Sequence, residues 1–325
     1  MTPSKSFIQT HLSNTLTEIE LLLDAERKYK GKVRDTFKIE NNRILIATDR
    51  QSAFDRVLAA VPFKGQVLNN ISKFWFEKTK DIVKNHLIAT PDPNVMVVKT
   101  AEVFPVEVIV RGFLTGSTDT SAWVNYNNGI RDFCGVTLPE GMKKNEPFKN
   151  PIITPTTKDK DHDRLISPAE IIAEKRMSQE EWEEVADIAL KLFARGTEIC
   201  KKSGLILVDT KFEFGKDKDG NIMLIDEVLT PDSSRFWLSE TFKEKIAQGQ
   251  EPDNIDKEFL RLWFAKHCDP YNDKVLPDAP ADLVIELSLR YILSFEKITG
   301  EAFVPILGNP TILSRIEKNL KKYFS

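Results

Sequence analysis

Polar and apolar positions alternate most clearly between residues 205 and 216. There Asp209, Lys211 and Glu213 fall on one side and Thr210, Phe212 and Phe214 on the other. A period of two predicts a β-strand with one polar and one apolar face. Asp219-Gly220 follows, the strongest short hairpin signal, and predicts a two-residue type I′ turn. With that turn Lys218 pairs with Asn221, and counting back sets Glu213 opposite Asp226. Segments 32–39 and 43–48 predict a second hairpin turning at Asn41-Asn42, which puts Arg34 opposite Asp49. Segments 95–99 and 106–110 predict two more strands flanking a candidate hinge at 100–105.

Helical spacing appears elsewhere. Leu68, Ile71, Trp75 and Ile82 predict a helix over 66–84. The clearest helix is 178–203: Ser178 and Glu181 form a capping box, Trp182, Val185, Ala189, Leu192 and Phe193 make an apolar stripe, and Gly204 ends it. From about residue 246 the pattern is mostly helical, with Phe259, Leu262 and Trp263, then Leu283, Leu287 and Tyr291. Residues 1–30 suggest a short amphipathic helical approach. Residues 127–165, rich in Asn, Gly, Pro, Lys and Asp, read as loop-dominated, and long loops in compact proteins are usually functional or mobile. Regular βαβ alternation is missing, so the fold class is α+β with antiparallel hairpins. The expected division is an N-terminal α+β lobe (1–104), a central α+β lobe (105–245) and a mainly helical C-terminal region (246–325).

Composition narrows the function. A chain of 325 residues, 41% hydrophobic and 29% charged, can bury a sizeable core. A net charge of −3 offers no general attraction to nucleic acid or acidic membranes, so anionic ligands must be held by local Lys and Arg. Cys134, Cys200 and Cys268 lie far apart in no metal-ligand spacing and fit a reducing compartment. No apolar run approaches the roughly 20 residues of a membrane span. No secretory signal is seen, which makes the cytoplasm the expectation.

Acids set opposite each other on a hairpin repel, and a divalent cation removes the repulsion. Oxygen ligands suit Mg²⁺ carrying phosphates, so Glu213 and Asp226 are candidate metal ligands. The sequel 230–235, Thr-Pro-Asp-Ser-Ser-Arg, adds hydroxyls, a carboxylate and a guanidinium. Gly31-Lys32-Val33-Arg34-Asp35 puts two cations on one strand face; alone it also reads as an exposed basic strand. Arg111-Gly112-Phe113-Leu114-Thr115-Gly116-Ser117 ends a strand in a glycine turn that can hold a phosphomonoester, or is a surface turn with a solvated arginine. Thr154 to Lys158 and His162-Asp163 lie in the long loop. Together these features describe one site for several anions plus Mg²⁺, and hence an ATP-using enzyme.

Longer motifs then resemble a family. Phe104-Pro105-Val106-Glu107-Val108-Ile109-Val110-Arg111, with Thr115-Gly116-Ser117, and Leu207-Val208-Asp209-Thr210-Lys211-Phe212-Glu213-Phe214-Gly215 look like two signatures of the SAICAR synthetases. Gly31 to Asp35, Ala47 to Asp55 and Asp226 to Arg235 also fit, in the family's order. Thr118-Asp119-Thr120 looks like a small insertion. The resemblance implies a kinase-like antiparallel lobe over a lobe distantly like ATP-grasp enzymes. It implies ligation of L-aspartate to carboxyaminoimidazole ribonucleotide (CAIR), with ATP giving ADP and phosphate, through an acyl phosphate. On that basis Glu213 and Asp226 hold Mg²⁺ and, with Lys32 and Arg34, ATP. Arg111, Ser117, Ser234 and Arg235 bind CAIR, with Asp209 and Asp232 on its base or ribose side. Lys211, with Asp209, is the catalytic candidate and neutralises the transferring group. Lys158 and Asp163 are placed near the substrates, and Ser52 and Asp55 are conceivable for aspartate. The alternative is a small-molecule kinase of related architecture, which would phosphorylate a hydroxyl without aspartate. An idle scaffold would show gaps in the acidic and basic sets, and there are none. Oligomeric state stays open.

Overall fold

The computed structural model describes residues 2–21, 26–159 and 163–324. Ser4 caps a short helix, α1 (Lys5–Gln9), that buries Ile8. Strands β1 (Glu26–Lys30), β2 (Arg34–Ile39) and β3 (Asn42–Ala47) form a meander. After it come the hairpin β4 (Arg50–Ala53) and β5 (Arg56–Ala60), helix α2 (Lys64–Lys78), and the hairpin β6 (Leu87–Asp92) and β7 (Val95–Lys99). Strands β1-β2-β3-β7-β6 make one antiparallel sheet.

The long strand β8 (Glu102–Leu114) opens the second sheet. Helix α3 (Ala122–Asn127), short strands β9 (Asp132–Phe133), β10 (Val136–Thr137), β11 (Glu146–Ile153) and β12 (Thr156–Thr157), and helices α4 (Pro168–Ala173) and α5 (Gln179–Lys202) follow. Strands β13 (Leu205–Lys216), β14 (Ile222–Ile225) and β15 (Ser234–Leu238) complete the sheet β11-β8-β13-β14, with β12 beside β8 and β15 beside β13. The chain ends in α6 (Ser239–Ala247), α7 (Glu258–His267), α8 (Ala281–Thr299) and α9 (Ile312–Leu320).

Burial explains the layers. Ile44, Ile46, Val95 and Val97 on one face of the first sheet pack under Ile312, Ile316 and Leu320 of α9. The opposite face joins the larger core with α2, α5, α8 and the second sheet. Helix α5 carries the expected capping box, and its buried stripe of Trp182, Val185, Ala189, Leu192 and Phe193 contributes about 1.5–3 kcal/mol for each large side chain. Gly196 lets α5 sit close: a Cβ there would lie 2.9 Å from the side chains of both Leu207 and Leu229.

Several expectations need correction. The first hairpin turns at Glu40-Asn41, so Arg34 pairs with Ala47, not Asp49. That slide of two residues leaves each side chain on its expected face, so alternation could not detect it. In the second hairpin Lys216 pairs with Ile222, and the Asp217 carboxylate closes a five-residue loop by accepting the Asp219 and Asn221 N–H groups. Glu213 therefore faces Ile225, one residue short of Asp226. All four residues of β14 are buried, so its pattern carried no parity. Among the described residues of 1–30 only α1 is helical, and 26–30 are strand; Met1 and 22–25 lie outside the described residues. Helix α2 spans 64–78 rather than 66–84. Phe104-Pro105 belongs to β8, where the ladder skips between Val103 and Glu107 and so tolerates a proline without an N–H. The 127–165 region contains β11 and β12, both paired with β8.

Candidate active site

The polar face of β13 presents Asp209, Lys211 and Glu213, as its alternation predicts. What it meets differs at the two ends.

At the Glu213 end acids crowd. Glu107 of β8 lies directly opposite Glu213 in register, a like-charged pair. The Lys211 ammonium sits between them, 2.6 Å from Glu107 Oε1 and 3.0 Å from Glu213 Oε1. Lys158, after β12, also ion-pairs with Glu213. Burial would push the Glu213 carboxyl up, but Lys211 and Lys158 hold it at about 2. Asp226 follows β14 with a left-handed φ of 62°. Burial raises its pKa against the pull of Arg34, and repulsion from Glu213 and Glu227 adds to the rise. Arg34 donates to Glu227 at 2.5 Å and lies 3.6 Å from Asp226, and the Thr230 hydroxyl donates to the same Glu227.

Lys32 sits in the β1–β2 turn rather than on a strand face, with its ammonium 2.5 Å from Asp55 at the tip of the β4–β5 hairpin. Ser52 is buried within β4. Asp163 reaches this cluster: burial raises its pKa, and Lys211, Asp55, Lys158 and Lys32 all act on it. His162 lies outside the described residues. Between the two sheets is a cavity of about 240 Å³, apolar at Leu45, Val98 and Ile225 and acidic at Glu213 and Asp226. His86 lines it and ties the sheets together: its N–H donates to Leu224 O and its carbonyl accepts from Lys99 N–H. Burial, with repulsion from Arg34, keeps that imidazole neutral, lowering it to about 3.

Among the described residues no group of three or more His, Cys, Asp or Glu is arranged to hold a metal alone. Two mutually repelling carboxylates, Glu213 buried and Asp226 half-buried, do fit Mg²⁺, which keeps waters and takes other oxygens from phosphates.

The Asp209 end is richer in cations. Arg111 of β8, Asp209 of β13 and Arg235 of β15 occupy one rung of the sheet. Arg235 donates to Asp209 at 2.7 Å, and Arg111 lies 3.6 Å from it. Arg111 is braced by Thr154 Oγ1 at 2.7 Å and by the Thr120 carbonyl at 3.0 Å. The 118–120 segment is thus part of the site, and Asn125 fixes it by donating to Asp119 O at 2.7 Å. Gly116, at φ 111°, brings the turn against Arg235: a Cβ there would meet the guanidinium at 3.0 Å and Ser121 at 2.4 Å. The Ser117 hydroxyl donates to Glu258, which also lies 3.3 Å from Arg261. Burial lowers Lys257 to about 8, opposed by Asp232 and reinforced by Arg261 and Lys64.

Two expected ligand groups lie inward. The Ser234 hydroxyl is buried 2.8 Å from that of Thr210. Asp232 is buried beneath its turn, bonded to Lys64 at 2.6 Å and to the Tyr291 hydroxyl. Sequence reasoning missed Glu107, Glu227, Lys257, Glu258 and Arg261. Glu107 alternates with Arg111 along β8, a readable signal; Lys257 and Arg261 share the i, i+4 spacing of a helix face.

The family model for SAICAR synthetase matches residues 27–277. The chain is 55% identical over 304 residues to the phosphoribosylaminoimidazole-succinocarboxamide synthase of Legionella pneumophila (strain Paris), covering 94% of this chain and 97% of that one. The structure of the SAICAR synthase from Saccharomyces cerevisiae complexed with SAICAR superposes with a TM-score of 0.76 at 34% identity, covering 89% of this chain and 100% of the other. A SAICAR synthetase in complex with ADP matches at a TM-score of 0.66 and 26% identity, over 85% of this chain and 99% of that one. By sequence and by fold, the chain belongs to the SAICAR synthetase family of ATP-dependent ligases in purine biosynthesis.

Proposed function

We propose that this enzyme joins the amine of L-aspartate to the carboxylate of CAIR, converting ATP to ADP and phosphate. The observation that carries the reading is the division of β13, with a cation-rich rung at Asp209 and an acid cluster at Glu213. Four residues of strand separate them by about 13 Å. A phosphorylated nucleotide substrate at one end and the ATP phosphates at the other would meet near Lys211. The SAICAR and ADP bound in the two related structures are the ligand types this reading requires.

A carboxylate is a poor electrophile, so the γ-phosphoryl first passes to the CAIR carboxylate oxygen. The aspartate amine then attacks the acyl carbon, phosphate leaves, and an amide remains. Arg111, Arg235 and Ser117 bind the CAIR phosphate and carboxylate, with Lys257 and Arg261 adding charge. Lys211 neutralises charge at the transferring group, Lys158 and Asp163 border it, and Lys32 and Arg34 face the ATP phosphates. Glu213 and Asp226 would hold Mg²⁺, which when bound supplies charge neutralisation for phosphoryl transfer. The acyl phosphate is labile in water, so closure of a loop or lobe over it is part of the proposal. The cytoplasm and a small-molecule set of partners complete it.

A kinase reading has no support among these relatives. The test is ADP release with Mg-ATP and CAIR, with and without L-aspartate, and mass analysis of the product. ADP formed in step with a product heavier by aspartate minus water is expected. A phosphorylated product accumulating without aspartate would favour the kinase.

A further inference from the structure

Lys64, the first residue of α2, is completely buried, an unusual place for an ammonium. Its Nζ lies 2.6 Å from Asp232 Oδ2. The other carboxylate oxygen accepts from the hydroxyl of Tyr291, a fully buried residue of α8 that also lies 2.9 Å from Gln51 Oε1 of β4. The same helix ties down the approach to α2, since the Ser288 hydroxyl donates to Pro62 O at 2.8 Å. Asp232 in turn begins the segment that leads through Ser233 and Ser234 to Arg235, and its N–H donates to Thr230 Oγ1 at 3.2 Å. Three distant parts of the chain thus converge on one carboxylate.

A buried ion pair is weak evidence for stability, because apolar residues of similar volume often serve as well or better. What the pair does supply is a fixed position. Burial would raise the Asp232 carboxyl, but Lys64, Lys257 and the Tyr291 hydroxyl keep it ionised, well below the usual range. An ionised Asp232 keeps both bonds, and those bonds set the turn that presents Arg235.

We propose that Lys64 and Tyr291 are positioning residues for CAIR: through Asp232 they fix the 232–235 turn and hence the Arg235 guanidinium. The C-terminal helix α8 is then part of the substrate site. The proposal rests on the reading that Arg235 binds CAIR.

The test compares Tyr291→Phe, Lys64→Met and the neutralised double variant Lys64→Met/Asp232→Asn with the wild type. KM for CAIR should rise about 10-fold in Tyr291→Phe, the loss of one hydrogen bond to a charged group, while KM for ATP stays within about 2-fold. The double variant should recover the Tm lost by Lys64→Met yet keep the raised KM. A lower Tm with KM for CAIR unchanged, or KM rising equally for both substrates, would overturn the proposal. Wild-type ADP release with CAIR and aspartate is measured first. If it is absent, the functional reading fails, and the same 10-fold weakening is sought by calorimetry with ribose 5-phosphate. Equal ribose 5-phosphate binding in wild type and Tyr291→Phe would then sink the positioning claim on its own.

Discussion

The two ends of β13 show opposite solutions to the same problem. At the Glu213 end Glu107, Glu213, Asp226, Glu227, Asp163 and Asp55 face Lys32, Arg34, Lys158 and Lys211. Acids outnumber cations, and the surplus suits a site completed by a divalent cation. At the Asp209 end the five cations Arg111, Arg235, Arg261, Lys257 and Lys64 gather around four acids, Asp209, Asp232, Glu258 and Asp256, the last raised to about 6 by burial. Cations prevail there, and an anion can bind directly. One strand, by alternating three polar residues, delivers a carboxylate to each environment and an ammonium between them.

The contrast can be broken from either side. The largest effect is expected for Asp226→Asn, which should lower kcat by about 10²–10³ while KM for CAIR stays within about 2-fold. Near-wild-type turnover in steady-state assays would remove Asp226 from the metal site. Arg235→Met should act from the other end, raising KM for CAIR by about 10–100-fold with little change for ATP, since a charge-assisted hydrogen bond is lost.

Lys257 gives the contrast a pH signature. Its folded pKa is lowered from 10.5 to about 8 by burial, so it is charged below pH 8 and neutral above. CAIR affinity should therefore be full below about pH 8 and fall as pH rises through it, with the inflection absent in Lys257→Arg. The linkage runs the other way for stability. Between pH 8 and 10.5 the unfolded chain binds the extra proton, so the fold should gain stability as pH rises across that window. Smallest is Ser178→Ala, which removes the cap of α5 and should cost about 1 kcal/mol in thermal unfolding while sparing both KM values.

Much of this is legible in the sequence. Strict alternation fixed the polar face of β13, and the Ser178/Glu181 capping box with Gly204 bounded α5 within a residue. Register was harder. The Asp226 assignment rested on a two-residue turn, but Asp217 captures a wider loop, and β14 is apolar on both faces, so no polarity marked the slip. The two carboxylates interact all the same, because Asp226 leaves the ladder at a left-handed residue. Glu107 was hidden inside a motif already read for its arginine. Glu258 and Lys64 were illegible for another reason: their partners, Ser117 and Asp232, lie 141 and 168 residues away. Local pattern does not encode contacts at that distance.

The central claim is that the two ends of β13 bind different ligands independently. Calorimetric titration of wild type and Glu213→Gln with Mg-ADP, and separately with SAICAR, tests it most directly. Mg-ADP binding should weaken by about 10-fold or more, the loss of a charged metal ligand, while SAICAR binding stays within about 2-fold. Parallel weakening of both ligands, or of SAICAR alone, would contradict the division.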